Sequence, residues 1–263
     1  MSIGTPSRLS AAFTAARGEG RTALVCYLMG GDPSLAATEE LLLALDASGA
    51  DVIELGVPFS DPIADGPTLQ AAAMRALAAG TKLSDLLALS GRLRGRVRAP
   101  LVLMGYMNPI ESMGIPRFCA RAAEAGIAGC IVPDLPLEES GPLRDELGAQ
   151  GIDLVPLVAP TTGSERTRAI AASARGFIYT VTVTGVTGAR AELPPELAQR
   201  LRELRALSPV PVAAGFGIAR PEQAAQLKGL ADGVVVGSAL VAAHHQGGVQ
   251  AATALVRSLR GAL

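Results

Sequence analysis

The stretch Glu54-Leu55-Gly56-Val57-Pro58-Phe59-Ser60-Asp61-Pro62-Ile63-Ala64-Asp65-Gly66-Pro67 sets three carboxylates among apolar residues and stiffens them with three prolines. Glu54 lies inside the run Asp51-Val52-Ile53-Glu54-Leu55, whose strand alternation puts it on one face with Val52. Both faces of a strand in a parallel α/β fold are buried. A buried carboxylate is costly unless it is paired or used. Desolvation raises its pKa, which suits a group that gives and takes protons near neutral pH. A structural ion pair with a neighbouring Lys or Arg is the competing reading, and the residues alone leave both open.

A second group is rich in glycine: Thr184-Gly185-Val186-Thr187-Gly188, Gly215-Phe216-Gly217 and Gly237-Ser238. Glycine lets backbone N–H groups approach an anion closely, and a helix starting at Ser238 would aim its positive end there. Any one of these glycines could merely turn the chain; together they favour a phosphorylated small molecule. Asp61 and Asp65 have no histidine beside them, which argues against a metal site. His244 and His245 read as surface residues near a helix end.

These residues need a scaffold. Short β-branched runs at 22–28, 51–55, 100–106, 128–133, 153–158, 176–181, 210–213 and 233–236 alternate with helical stretches at 35–47, 69–77, 83–93, 115–125, 137–149, 164–173, 195–207 and 221–227. A further helix is expected at 249–259 and a leader helix at 7–17. Such alternation implies parallel strands with right-handed crossovers. Eight repeats within one 263-residue domain, 1–263, predict an α/β fold of the (β/α)8 TIM-barrel type. An open doubly wound sheet would carry a Gly-rich fingerprint after its first strand; here that turn reads Met29-Gly30-Gly31-Asp32-Pro33. In the barrel, loops after the strands build the site, and those after strands seven and eight hold phosphate.

Composition narrows the classes. With 49% hydrophobic and 18% charged residues the chain can bury a large core. A net charge of −1 argues against a nucleic-acid or membrane-surface binder. The one basic run, Arg92, Arg94, Arg96 and Arg98, reads as a solvated helix end. Cys26, Cys119 and Cys130 lack CxxC spacing and read as reduced, mostly buried thiols, and no apolar run reaches membrane-span length, so a cytoplasmic location is expected.

The segment Ile53 to Pro62, followed by Ala64-Asp65-Gly66-Pro67, closely resembles the signature of the tryptophan synthase alpha subunit family. The similarity continues through Gly31-Asp32-Pro33, Tyr106-Met107-Asn108-Pro109, Asp134-Leu135-Pro136-Leu137-Glu138-Glu139, Gly185-Val186-Thr187-Gly188, Gly215-Phe216-Gly217-Ile218 and Gly237-Ser238-Ala239. The resemblance implies a lyase that cleaves indole-3-glycerol phosphate to indole and glyceraldehyde 3-phosphate. Glu54 and Asp65 match its catalytic carboxylates, Tyr179 a substrate-contacting tyrosine, and Thr187 the threonine of a mobile lid. Gly188, Gly217, Gly237 and Ser238 match phosphate-binding positions, and Tyr27, Met104, Tyr106, Leu157 and Phe216 would line the indole pocket. Two segments depart from the family pattern, Cys26-Tyr27-Leu28-Met29-Gly30 and Thr182-Val183-Thr184.

The resemblance also implies a beta-subunit partner carrying pyridoxal phosphate, an alpha2beta2 heterotetramer, and no cofactor in this chain. Exposed loops around Asp61-Pro62, Asn108-Pro109 and 134–136 are the expected contacts. Another phosphate-binding barrel enzyme would be expected to carry a different catalytic pair. A non-catalytic subunit would tolerate loss of Glu54 or Asp65, and both are present.

Overall fold

The computed structural model describes residues 7–181, 195–215 and 217–263. Among them the expected strands become nine parallel segments: β1 Ala23–Met29, β2 Val52–Gly56, β3 Leu101–Met104, β4 Gly129–Ile131, β5 Asp153–Leu154, β6 Leu157–Val158, β7 Ile178–Val181, β8 Val212–Gly215 and β9 Gly233–Val236. They pair in the order β5-β4-β3-β2-β1-β9-β8-β7-β6. The two ends of that order are halves of one expected strand, parted at Val155-Pro156, because proline has no N–H to give to a ladder. Val155 N–H donates to the Cys130 carbonyl at 2.9 Å, and the Pro156 carbonyl accepts from Tyr179 N–H at 3.0 Å. One short segment therefore joins both edges, and the sheet closes into the TIM barrel.

The helices are α1 Arg8–Gly18, α2 Leu35–Ala47, α3 Pro67–Ala78, α4 Leu83–Leu93, α5 Met107–Met113, α6 Ile115–Glu124, α7 Gly141–Ala149, α8 Ser164–Ser173, α9 Pro195–Leu207, α10 Pro221–Ala225 and α11 Ser238–Ala262. Non-helical backbone at Gly247 and Gly248 kinks α11, which accounts for the two separate stretches expected from sequence. One element was not expected. The third ladder stops at Met104, and Asn108-Pro109 belongs to the first turn of α5 rather than to a loop. Proline is tolerated there, and the Asp134 carboxylate accepts the otherwise unpaired Met107 N–H at 3.0 Å.

Alternation along the strands divides the core. Val25, Val52, Val102, Val155, Ala213 and Val235 meet inside the cylinder, with Leu9, Phe13 and Ala16 of α1. Leu24, Cys26, Ile53, Leu55, Leu103 and Cys130 face the surrounding helices. The leader helix thus plugs the N-terminal mouth: Phe13 lies 5.1 Å from Phe177, and a Cβ on Gly233 would come within 2.4 Å of the Phe13 ring. All three cysteines are buried and free. In the basic run Arg92 and Arg96 pair with Glu39 of α2 and Arg98 with Asp46, so the run is a charged helix end as expected. Among the described residues no helix is long and apolar enough to cross a membrane.

Truncating the plug should weaken the fold and spare the chemistry at the far mouth. Phe13→Ala should lower unfolding stability in urea by about 3–5 kcal/mol, with the turnover of the folded protein retained.

Candidate active site

Glu54 occupies the inward position above Val52, registered between Tyr27 of β1 and Val102 of β3. Its relative exposure is 0%, and neither Oε1 nor Oε2 has a hydrogen-bond partner among the described residues. The structural ion pair left open by the sequence is therefore not what holds it there. Burial in apolar surroundings pushes its carboxyl up to about 8.

Around it stand residues expected to line the pocket. Met104, Leu157 and Tyr179 pack on the upper end of the inner core, and Tyr27 joins Met29, Ala72, Ala73, Ala76 and Val241 in a second apolar cluster. Two glycines seat the tyrosines. A Cβ on Gly56 would lie 2.1 Å from the Tyr27 hydroxyl, and one on Gly215 would lie 2.6 Å from that of Tyr179. Burial raises both phenols well above their ordinary value, and Asp65 and Glu54 raise them further.

Asp65 is half-buried in the loop between β2 and α3. Tyr106, which follows β3, organises that loop. Its hydroxyl accepts from Ala64 N–H at 3.0 Å, its ring stacks on Phe59 with centroids 5.1 Å apart, and it lies near enough to the Asp65 carboxylate to favour the ionised form. Burial raises Asp65 to about 6, opposed by the Tyr106 hydroxyl. The loop tip is exposed at Ser60, Asp61 and Ile63.

The glycines expected to hold an anion lie at the C-terminal ends of β8 and β9. Gly217 has φ +63°, a conformation open to glycine. Gly237 is the N-cap of α11, its carbonyl accepting from Leu240 and Val241 N–H at 2.9 and 3.0 Å. The first-turn N–H groups of Ser238 and Ala239 have no partner inside the helix. A Cβ on Gly237 would lie 3.7 Å from the Tyr27 Cβ, so this helix end adjoins the apolar pocket. Thr187, Gly188 and Phe216, with the departing segment 182–184, lie outside the described residues.

Sequence reasoning missed the wall made by α3, where Ala72, Ala73 and Ala76 face Tyr27 and Met29. The helical spacing of those alanines was the available signal. Sequence reasoning took His244 and His245 for surface residues rather than ligands, and His245 is exposed. His244 is half-buried, lowered by burial, and feels the charges of Asp32 and Glu40. No group of His, Cys, Asp and Glu suited to a metal occurs among the described residues.

A closed parallel barrel with an uncompensated carboxylate at its C-terminal mouth defines a (β/α)8-barrel enzyme built for acid–base chemistry. Comparison with known proteins makes this specific. The profile of the family "Tryptophan synthase alpha chain" matches residues 13–260. The tryptophan synthase alpha chain of Carboxydothermus hydrogenoformans is 51% identical over 235 residues, covering 89% of this chain and 88% of its own. That of Synechococcus elongatus is 50% identical over 256 residues, 97% of this chain and 96% of its own. Among solved structures, tryptophan synthase subunit alpha from Legionella pneumophila superposes with a TM-score of 0.89 at 37% identity, covering 98% of both chains. A tryptophan synthase chain from Mycobacterium tuberculosis gives 0.90 at 39% identity, also covering 98% of both. The chain belongs to the tryptophan synthase alpha chain family, the lyase of tryptophan biosynthesis that cleaves indole-3-glycerol phosphate.

The raised Glu54 pKa has a stability consequence. The folded state holds its proton up to about pH 8, whereas an unfolded Glu releases it near pH ~4.3. Stability is therefore lost as pH rises between those values. Glu54→Gln removes that loss, so at pH 9 the variant should be more stable to urea than wild type by on the order of a few kcal/mol. The advantage should shrink towards pH 5; a gap independent of pH counts against a buried protonated Glu54.

Proposed function

We propose that Glu54 and Asp65 divide the proton transfers of the lyase reaction, with the glycine-rich end of β8 and β9 holding the phosphate. The observation that carries this reading is Glu54 itself, fully buried, without a partner among the described residues, and protonated up to about pH 8. Indole is a poor carbanion leaving group, so its C3 must gain a proton before the carbon–carbon bond breaks. Glu54, as the neutral acid, donates that proton, and positive charge develops at ring N1. Ionised Asp65 accepts a hydrogen bond from N1–H and stabilises the charge. The Glu54 carboxylate then takes the proton of the hydroxyl on the carbon next to the ring. The C–O bond becomes a carbonyl, the carbon–carbon bond breaks, and its electron pair restores the aromatic indole. Glu54 ends protonated again.

The apolar cluster of Tyr27, Met29, Ala73 and Met104 suits a flat aromatic ring, with Tyr106, Leu157 and Tyr179 completing its surroundings. Backbone N–H groups at Gly217, Gly237 and Ser238, with Gly188, are assigned to the phosphate, whose fixed seat orients the ring between the carboxylates. None of these steps asks a cofactor of this chain; pyridoxal phosphate belongs, in this reading, to a beta subunit that uses the indole. We assign the contact with that subunit to the rim near exposed Asp61 and Asp134 and to Ile63, 83% exposed at the loop tip. An alpha2beta2 assembly follows from the same reading.

With Asp65 needed ionised and Glu54 protonated, kcat/KM should rise through about pH 6 and fall through about pH 8. Glu54→Gln should lose at least ~100-fold in indole release while still binding substrate in a direct titration, and it should lose the alkaline limb. Asp65→Asn should be comparably impaired; near-normal turnover in either variant sinks its assignment. Co-elution with a beta subunit on a sizing column should weaken in Ile63→Asp, with indole release by the isolated chain unchanged. Co-elution equal to wild type would remove the rim from the contact.

A further inference from the structure

The helix that walls the pocket packs through small side chains. α3 buries Ala72, Ala73 and Ala76, the smallest apolar side chains, and its N-cap Gly66 makes no side-chain capping bond. Arg75 supplies a firmer tether. Its Nε and Nη2 each donate to an oxygen of Asp32, both at 2.7 Å, in the two-pronged geometry that fixes direction as well as distance. Asp32 is 5% exposed and stands on the turn after β1. That turn is itself pinned, since Gly30 N–H donates to the Gly56 carbonyl at 2.9 Å and Gly31 N–H to Thr38 Oγ1 at 2.8 Å. Asp32 is thus a fixed anchor on β2 and α2, and Arg75 hangs α3 from it.

We propose that the Asp32–Arg75 pair is a positioning device for the lyase reaction, clamping α3 to the rim of β1 and so setting where Asp65 meets the substrate. The inference rests on the reading of Asp65 as a catalytic group. Asp65 lies two residues before α3 begins, in a loop largely exposed from 60 to 66. Tyr106 steadies it from one side; the helix must do so from the other. A wall of alanines offers little to stop α3 sliding, and a misplacement of about 1 Å can cost about 100-fold in rate. Glu40 and His244 also act on the pair's surroundings, while Tyr106, Tyr27 and Tyr179 are the titratable groups that sense Asp65.

Four variants of the full chain test this. Arg75→Met and Asp32→Asn should each lower kcat about tenfold or more, and the acid limb of kcat/KM should move to lower pH as Asp65 gains solvent. Arg75→Lys, with a single ammonium in place of the planar fork, should recover part of both. Arg205→Met breaks a comparable pair at the opposite mouth, Arg205 Nη2 to Asp232 at 2.8 Å, and should cost melting temperature without moving kcat or the limb. Wild-type kcat and acid limb in Arg75→Met, or a loss no greater than in Arg205→Met at equal folded fraction, overturns the clamp. If Arg75→Met does not fold, Arg75→Lys decides by the same two readouts. An active Asp65→Asn would overturn the underlying reading as well; an inactive one beside a normal Arg75→Met overturns the clamp alone.

Discussion

Everything at the active mouth is arranged around one uncompensated carboxylate. A Glu inside a barrel strand, with no cation beside it among the described residues, can be tolerated at neutral pH chiefly as the protonated acid. Its neighbours on the inward face are apolar or phenolic, which keeps it so: Val52 below, Tyr27 beside it, Met104 and Tyr179 around it. The destabilising burial is affordable because the rest of the interior is filled from the other mouth by Leu9 and Phe13. A stable lower core thus carries a strained upper layer.

The second carboxylate differs by its surroundings rather than its chemistry. Asp65 is less buried and lies beside the Tyr106 hydroxyl, so its pKa of about 6 lies below the value of about 8 at Glu54. Depth of burial and one phenol, rather than any difference between the carboxyl groups themselves, let one pocket hold both an acid and an anion. Tyr106 couples the loops after β2 and β3 in the process, and Asp134 of the next loop fixes the backbone on which Tyr106 sits.

Much of this was legible in the residues. Strand and helix periodicity gave the barrel, and Glu54 announced itself as a carboxylate set between Ile53 and Leu55 inside a strand. The Glu54-to-Asp65 stretch, through its resemblance, named the chemistry. What stayed hidden depends on contacts between distant segments. The break at Val155-Pro156 reads as a continuous strand because only pairing with β4 on one side and β7 on the other exposes the missing donor. The turn into α5 depends on a carboxylate from another loop, and the link from Asp32 to Arg75 spans 43 residues. Gly56 looked like part of a motif, whereas its need for no side chain arises from the hydroxyl of Tyr27 on the neighbouring strand.

The split strand also makes the cylinder mechanically uneven. β1 shares five registered pairs with β2 and four with β9, while β5 and β6 each hold their neighbours by only two. The staves that carry Glu54 and Tyr27, and the one leading to Gly237, are the stiff ones; the seam lies across the bore, at Leu157. The thinnest joint of the sheet is therefore set apart from the strands that carry its one buried, unpartnered carboxylate among the described residues.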